Sequence, residues 1–88
     1  MPEPIIVYGA IGCEDTARTR AFLKAHQIPF QDVTIDHDPA AETFVRVING
    51  GARSTPTVVF GGHRKTVVAE PSNSELTELV SGAGYQVG

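Results

Sequence analysis

The chain carries one cysteine in 88 residues, no run of basic residues and no long apolar run. Each scarcity excludes a class of function. With Cys13 alone, no intramolecular disulfide can form. That rules out a disulfide-stapled secreted scaffold and a zinc site built on several cysteines. Lys and Arg number 7 against 10 Asp and Glu, intermixed along the chain, for a formal net charge of −3. Such a balance does not favour nucleic acid or an anionic membrane surface as partner. No apolar stretch approaches the roughly 18 residues of a membrane span. The opening Met1-Pro2-Glu3-Pro4 has no positive region, and Ile5-Ile6-Val7 is too short for a signal peptide. The sequence therefore reads as a cytoplasmic protein.

What is present is an ordinary globular composition, 41% hydrophobic and 19% charged. This length leads us to expect one domain, residues 1–88, with one compact core. Ile5-Ile6-Val7-Tyr8, ended by Gly9, reads as a buried strand. Glu14 to His26 reads as a helix, acidic at its start and basic later, with Ala17, Ala21, Phe22 and Ala25 as its apolar face. Phe30 to Ile35 alternates well enough for a second strand. Asp38-Pro39 then starts a helix whose apolar face is expected at Phe44, Val47 and Ile48, stopped by Asn49-Gly50. Thr57 to Phe60 is the clearest strand. Gly61-Gly62 turns it back into Lys65 to Ala69, a hairpin closed by Pro71. Ser72-Asn73-Ser74-Glu75 is a capping box ahead of Leu76, Leu79 and Val80, and the Gly-rich tail from Gly82 is expected to fray. The order is β-α-β-α-β-β-α, an α/β domain with one four-stranded mixed sheet flanked by three helices.

Cys13 falls between the first strand and the first helix, where unpaired N–H groups and the positive end of the helix dipole converge. Helix N-termini lower a cysteine pKa from about 8.5, and the thiolate is the form that attacks a disulfide. A lone cysteine is also commonly a small buried apolar residue, and Glu14 and Asp15 work against a thiolate. The residues alone leave both fates open. Thr55-Pro56 stands before the clearest strand. Simple punctuation explains it, since cis bonds are only about 5–6% of X-Pro bonds in folded proteins. His26, His37 and His63 show no ligand spacing, so no metal site is expected. Asp32, Asp36 and Asp38 lie along a strand and its exit, where a turn and an N-cap explain most of them.

Taken together, Val7-Tyr8, Cys13 opening a helix, and Ser54-Thr55-Pro56 before a strand resemble the glutaredoxins of the thioredoxin superfamily. The likeness runs from Ile5 to Val80 and is nearest to the mycoredoxins of actinobacteria. The stretches Asp36-His37-Asp38 through Phe44, Val47 through Arg53, Thr55 through Val58, and Pro71-Ser72 carry it. The resemblance implies a thioredoxin/glutaredoxin fold with Cys13 as the nucleophile and a cis bond at Thr55-Pro56. It further implies a groove for a small thiol, lined by Arg53, Thr55, Pro56, Ser72 and Asn73. One departure bears on mechanism. Where most members carry Cys-x-x-Cys, this chain reads Cys13-Glu14-Asp15-Thr16, so no second thiol resolves an intermediate.

The expectation is a monomeric, monothiol thiol–disulfide oxidoreductase with no tightly bound cofactor. Mycothiol or a glutathione-type thiol would serve as co-substrate, S-thiolated proteins as substrates, and Gly12 and Thr16 as support for the thiolate. Two alternatives stand beside it. One is a redox-inactive binding domain, which the acidic pair beside Cys13 favours. The other is an iron–sulfur carrier, although Cys13-Glu14-Asp15-Thr16 does not match the Cys-Gly-Phe-Ser pattern of such proteins.

Overall fold

The structure, a computed structural model, describes residues 3–61 and 66–87. Four strands form one sheet: β1 (Ile5–Gly9), β2 (Gln31–Thr34), β3 (Thr57–Phe60) and β4 (Thr66–Ala69). Their spatial order is β2-β1-β3-β4. β1 runs parallel to β2 and antiparallel to β3, and β4 pairs antiparallel with β3. Three helices, α1 (Glu14–Ala25), α2 (Pro39–Ile48) and α3 (Asn73–Gly82), complete the architecture. The expected element order and mixed sheet are both present. Gly62, His63 and Lys65, which the sequence placed in and after the hairpin turn, lie outside the described residues.

The sheet is covered on both faces. On one, Leu23 of α1 and Leu76 and Val80 of α3 pack with Ile5, Val7, Val58 and Phe60. On the other, Ala41 and Val45 of α2 join Ile35, with Tyr8, Val33 and Phe44 against them. The Tyr8 and Phe44 rings lie 4.9 Å apart at 37°. All four residues of β3 are buried, as a central strand covered on both sides requires.

Two helices turn different faces inward from those the apolar spacing predicts. In α1, Ala17, Ala21 and Ala25 are exposed, while Thr16, Thr19 and Leu23 are buried and Phe22 is half-buried. Alanine methyls bury little area, whereas one Leu contributes about 1.5–3 kcal/mol, so Leu23 sets the rotation. In α2, Val47 is 75% exposed and Ile48 39%, and the inward positions are Ala41 and Val45. Asn49 fixes that orientation: its amide donates to Val45 O at 2.7 Å and to Thr57 Oγ1 at 3.1 Å.

The tail does not fray as expected. Gly84 takes φ +99°, Tyr85 N–H donates to Val80 O at 3.0 Å, and Gly84 N–H donates to Ser81 O at 3.1 Å. That is the Schellman pattern, which a glycine just past a helix end permits. Tyr85 then packs on the core, and its hydroxyl donates to Glu3 O at 2.7 Å.

β1 meets α1 at Gly9, and the contact is close. A Cβ on Gly9 would overlap Thr16 Cγ2 and come within 3.0 Å of Arg20 Nη2. Thr16 is 1% exposed and has nowhere to move. Gly9→Ala is therefore expected to destabilise the fold by about 1–3 kcal/mol. Denaturant unfolding measures this, and an unchanged midpoint would show that α1 shifts freely against the strand.

Candidate active site

The loop between β1 and α1 turns at Gly12 (φ +75°) and delivers Cys13 as the N-cap residue of α1. Cys13 keeps an extended backbone, φ −89° and ψ 116°, and its carbonyl accepts Ala17 N–H at 3.1 Å. The cysteine side chain makes no capping bond of its own. The sulfur thus stands beside the free N–H groups of the first turn, partly exposed.

Across from it lies the loop before β3, where the Thr55-Pro56 bond is cis. Thr55 makes two contacts with the sulfur: Cys13 Sγ donates to Thr55 O, and Thr55 Oγ1 donates to Cys13 Sγ, each at 3.5 Å. The two contacts suit different protonation states. The carbonyl can hold only a thiol, whereas the hydroxyl can hold a thiolate. Thr16 contributes a second hydroxyl. Its oxygen accepts Ala10 N–H at 3.3 Å, which leaves its own proton free to turn toward the sulfur.

These donors hold the Cys13 thiol below its ordinary range. The Thr16 hydroxyl contributes most and the Thr55 hydroxyl next; partial burial opposes them, and the N–H groups of Thr16 and Asp15 assist. The neighbouring carboxylates do not reverse the balance. Asp15 is paired with Arg18, whose Nη1 donates to its Oδ1 at 2.9 Å.

Of the groove residues expected from the sequence, the structure brings Gly12, Cys13, Thr16, Thr55 and Pro56 together. Ser72 and Asn73 begin α3, directly after a segment joined to both sides of the site. Glu70 N–H donates to Pro56 O at 2.7 Å, and Arg18 Nη2 donates to Pro71 O at 2.9 Å, which tethers the start of α3 beside the Cys13 site. The Ser72 hydroxyl is occupied by its capping box, accepting Glu75 N–H at 3.1 Å. Arg53 is not free either: it donates to Asp36 and Glu42. Ala10, Ile11, Gly12, Cys13, Glu14, Ala17 and Arg20 line a cleft of about 470 Å³. A larger cavity of about 690 Å³, at the far end of α1 beside His26 and Tyr85, contains no cysteine.

Two residues that sequence reasoning passed over take part. Arg18 joins α1 to the approach of α3, and its i,i+3 spacing from Asp15 was the available signal. Asp36, assigned to a turn, accepts Ile11 N–H at 2.8 Å and so anchors the Cys13 loop. No sequence signal marked that contact.

Thr16→Val tests the shared hydroxyl. The substitution preserves shape but leaves Ala10 N–H buried without a partner, at about 1–3 kcal/mol of stability. The thiol pKa is expected to rise, read from thiolate ultraviolet absorbance against pH. An unchanged pKa in a folded variant would remove Thr16 from the account.

Comparison with known proteins agrees with this geometry. The Glutaredoxin family model matches residues 5–64. A Mycobacterium tuberculosis protein assigned as a glutaredoxin is 35% identical over 81 residues, 91% of this chain and 94% of its own length. The crystal structure of a thioredoxin-like protein superposes with a TM-score of 0.72 at 29% identity, covering 85% of this chain and 97% of that one. For a glutaredoxin of Archaeoglobus fulgidus the TM-score is 0.70 at 26% identity, with 89% and 86% covered. The fold, the cysteine at the start of α1 and these likenesses converge: the chain belongs to the glutaredoxin family of thiol–disulfide oxidoreductases.

Proposed function

We propose that the chain is a cytoplasmic, monomeric, monothiol oxidoreductase that reduces mixed disulfides between proteins and a small thiol, using Cys13 for both steps. The observation that carries this reading is the Cys13 sulfur held at a helix start by Thr55, with no second thiol in the sequence. The Cys13 thiolate attacks the small-thiol sulfur of the mixed disulfide. A bond forms between that sulfur and Cys13, the old bond breaks, and the electron pair leaves on the protein thiolate. A second small thiol, as thiolate, attacks the small-thiol half of the Cys13 disulfide. This releases a small-molecule disulfide and restores the Cys13 thiolate.

Once Cys13 has lost its proton, Thr55 O no longer accepts from sulfur. It becomes available to an amide of the bound thiol, which would lie against Thr55 as a short antiparallel partner. The Thr55 and Thr16 hydroxyls stabilise the attacking thiolate and, in the second step, the departing one. Pro56, Ser72 and Asn73 wall the groove.

We read the small thiol as mycothiol. Support comes from the mycoredoxin-like stretches of sequence and from the mycobacterial relative, whose name says only that it is a glutaredoxin. A turnover assay on one S-thiolated protein, carrying either mycothiol or glutathione and reduced by the matching thiol, tests this. Turnover with mycothiol is expected to exceed that with glutathione by at least about tenfold, equivalent to about 1.4 kcal/mol. Cys13→Ser is expected to abolish both. Absence of turnover with either thiol, in a protein whose Cys13 alkylates normally, would contradict the oxidoreductase reading.

A further inference from the structure

The ion pairs beside the cleft form a connected set. Arg53 Nη2 donates to Asp36 Oδ1 at 3.1 Å and Arg53 Nε to Glu42 Oε1 at 3.2 Å. Glu42 Oε2 also accepts from Arg46 Nε at 3.2 Å. The second oxygen of Asp36 accepts Ile11 N–H. Asp36 therefore sits between two loops, bonded two residues ahead of Cys13 on one side and two residues ahead of Thr55 on the other. Through Asp36 the Arg53 guanidinium is held next to the Cys13 loop, so a small thiol joined to Cys13 and lying along Thr55 would run close to it.

Carboxylates are recognised best by the planar fork of an arginine whose donors are free. Here two of those donors are taken, and the partners that take them are themselves anions. Both carboxylates are held below their ordinary range, Asp36 first by the Ile11 N–H and then by Arg53, Glu42 by Arg53 and then Arg46, so they are charged at neutral pH. An incoming carboxylate could reach only the remaining N–H groups and would meet there the repulsion of both anions. The other described arginines are also engaged: Arg18 with Asp15, Arg20 with Asp32, Arg46 with Glu42. A thiol whose polar groups are hydroxyls and amides meets no such obstacle.

We propose that Asp36 and Glu42, by occupying Arg53, set the selectivity of the site for an uncharged small thiol and against one bearing carboxylates. The inference rests on the thiol–disulfide reading above and assigns the residues that would discriminate between co-substrates.

The test uses the reduced full chain and two disulfides, glutathione disulfide and the uncharged hydroxyethyl disulfide. In each, the Cys13 thiolate attacks one sulfur, a new disulfide forms to Cys13, and the other half leaves as thiolate. Intact mass follows the rate. Glu42→Gln and Asp36→Asn are each expected to raise the rate with glutathione disulfide about threefold, and together about tenfold, consistent with exposed charge pairs. For Glu42→Gln the hydroxyethyl rate serves as control and is expected to stay within about twofold. Adding Arg53→Gln to the pair is expected to cancel the gain, as is about 1 M salt, where the Debye length is about 3 Å. Glu42→Gln leaves the Asp36–Ile11 bond in place, so it decides the matter if Asp36→Asn fails to fold. An unchanged glutathione rate, or equal gains with both disulfides, would overturn the selectivity role alone. Failure of Cys13 to react with either disulfide would overturn the thiol–disulfide reading and this inference with it.

Discussion

The Thr16 hydroxyl joins three parts of the molecule. Its oxygen takes the N–H of Ala10, closing the turn that leaves β1, and its methyl lies where a Cβ on Gly9 would have to go. Its proton is left for the Cys13 sulfur, whose pKa it lowers more than any other group. Strand end, helix start and nucleophile are thus tied through one buried side chain, which occupies the position of the missing second cysteine. Where a second thiol would resolve an intermediate, a hydroxyl can only stabilise the charge. The same site is thereby left to two small-molecule exchanges in place of an internal one.

Around that centre the charges are arranged in pairs. Asp15 beside the nucleophile is bound by Arg18, and Arg18 reaches on to Pro71 O, so a carboxylate poorly suited to a thiolate also joins α1 to the approach of α3. Asp36 similarly links the Cys13 loop to Arg53. Each exposed pair contributes little stability, about 0–1 kcal/mol. Their larger effect is positional, because they span the loops on either side of the cleft and decide which charges a ligand meets.

Local chemistry made several elements legible in the sequence. Asp38-Pro39 caps α2 through Ala41 N–H at 3.1 Å, and Ser72 and Glu75 form their reciprocal cap at the start of α3. Thr57–Phe60 is a strand with the predicted boundaries because an unbroken β-branched and aromatic run between a proline and a glycine has few alternatives. The inward face of α1 was not legible. It is built of Thr16 and Thr19, polar residues whose burial depends on the strand they meet, while the regular spacing belongs to alanines that face outward. Within the site, the helix start marked Cys13, but spacing alone argued against the cis bond at Thr55-Pro56, and only the family resemblance pointed to it. The Asp36–Arg53 pair joins residues 17 apart through the tertiary fold, which no local pattern encodes. The tail was misread because Gly84 counted as a source of looseness, whereas its positive φ is what lets Tyr85 return to the core.

The account stands on a thiolate stabilised by hydrogen bonds at a helix start, and the alkylation rate of Cys13 against pH tests it most directly. With one cysteine in the chain, mass change reports this group alone. Because the folded site favours the anion, the rate is expected to reach half its plateau at a pH below the ordinary thiol value of about 8.5. An inflection at or above that value would contradict the account, since burial and the neighbouring carboxylates would then outweigh Thr16, Thr55 and the helix N–H groups.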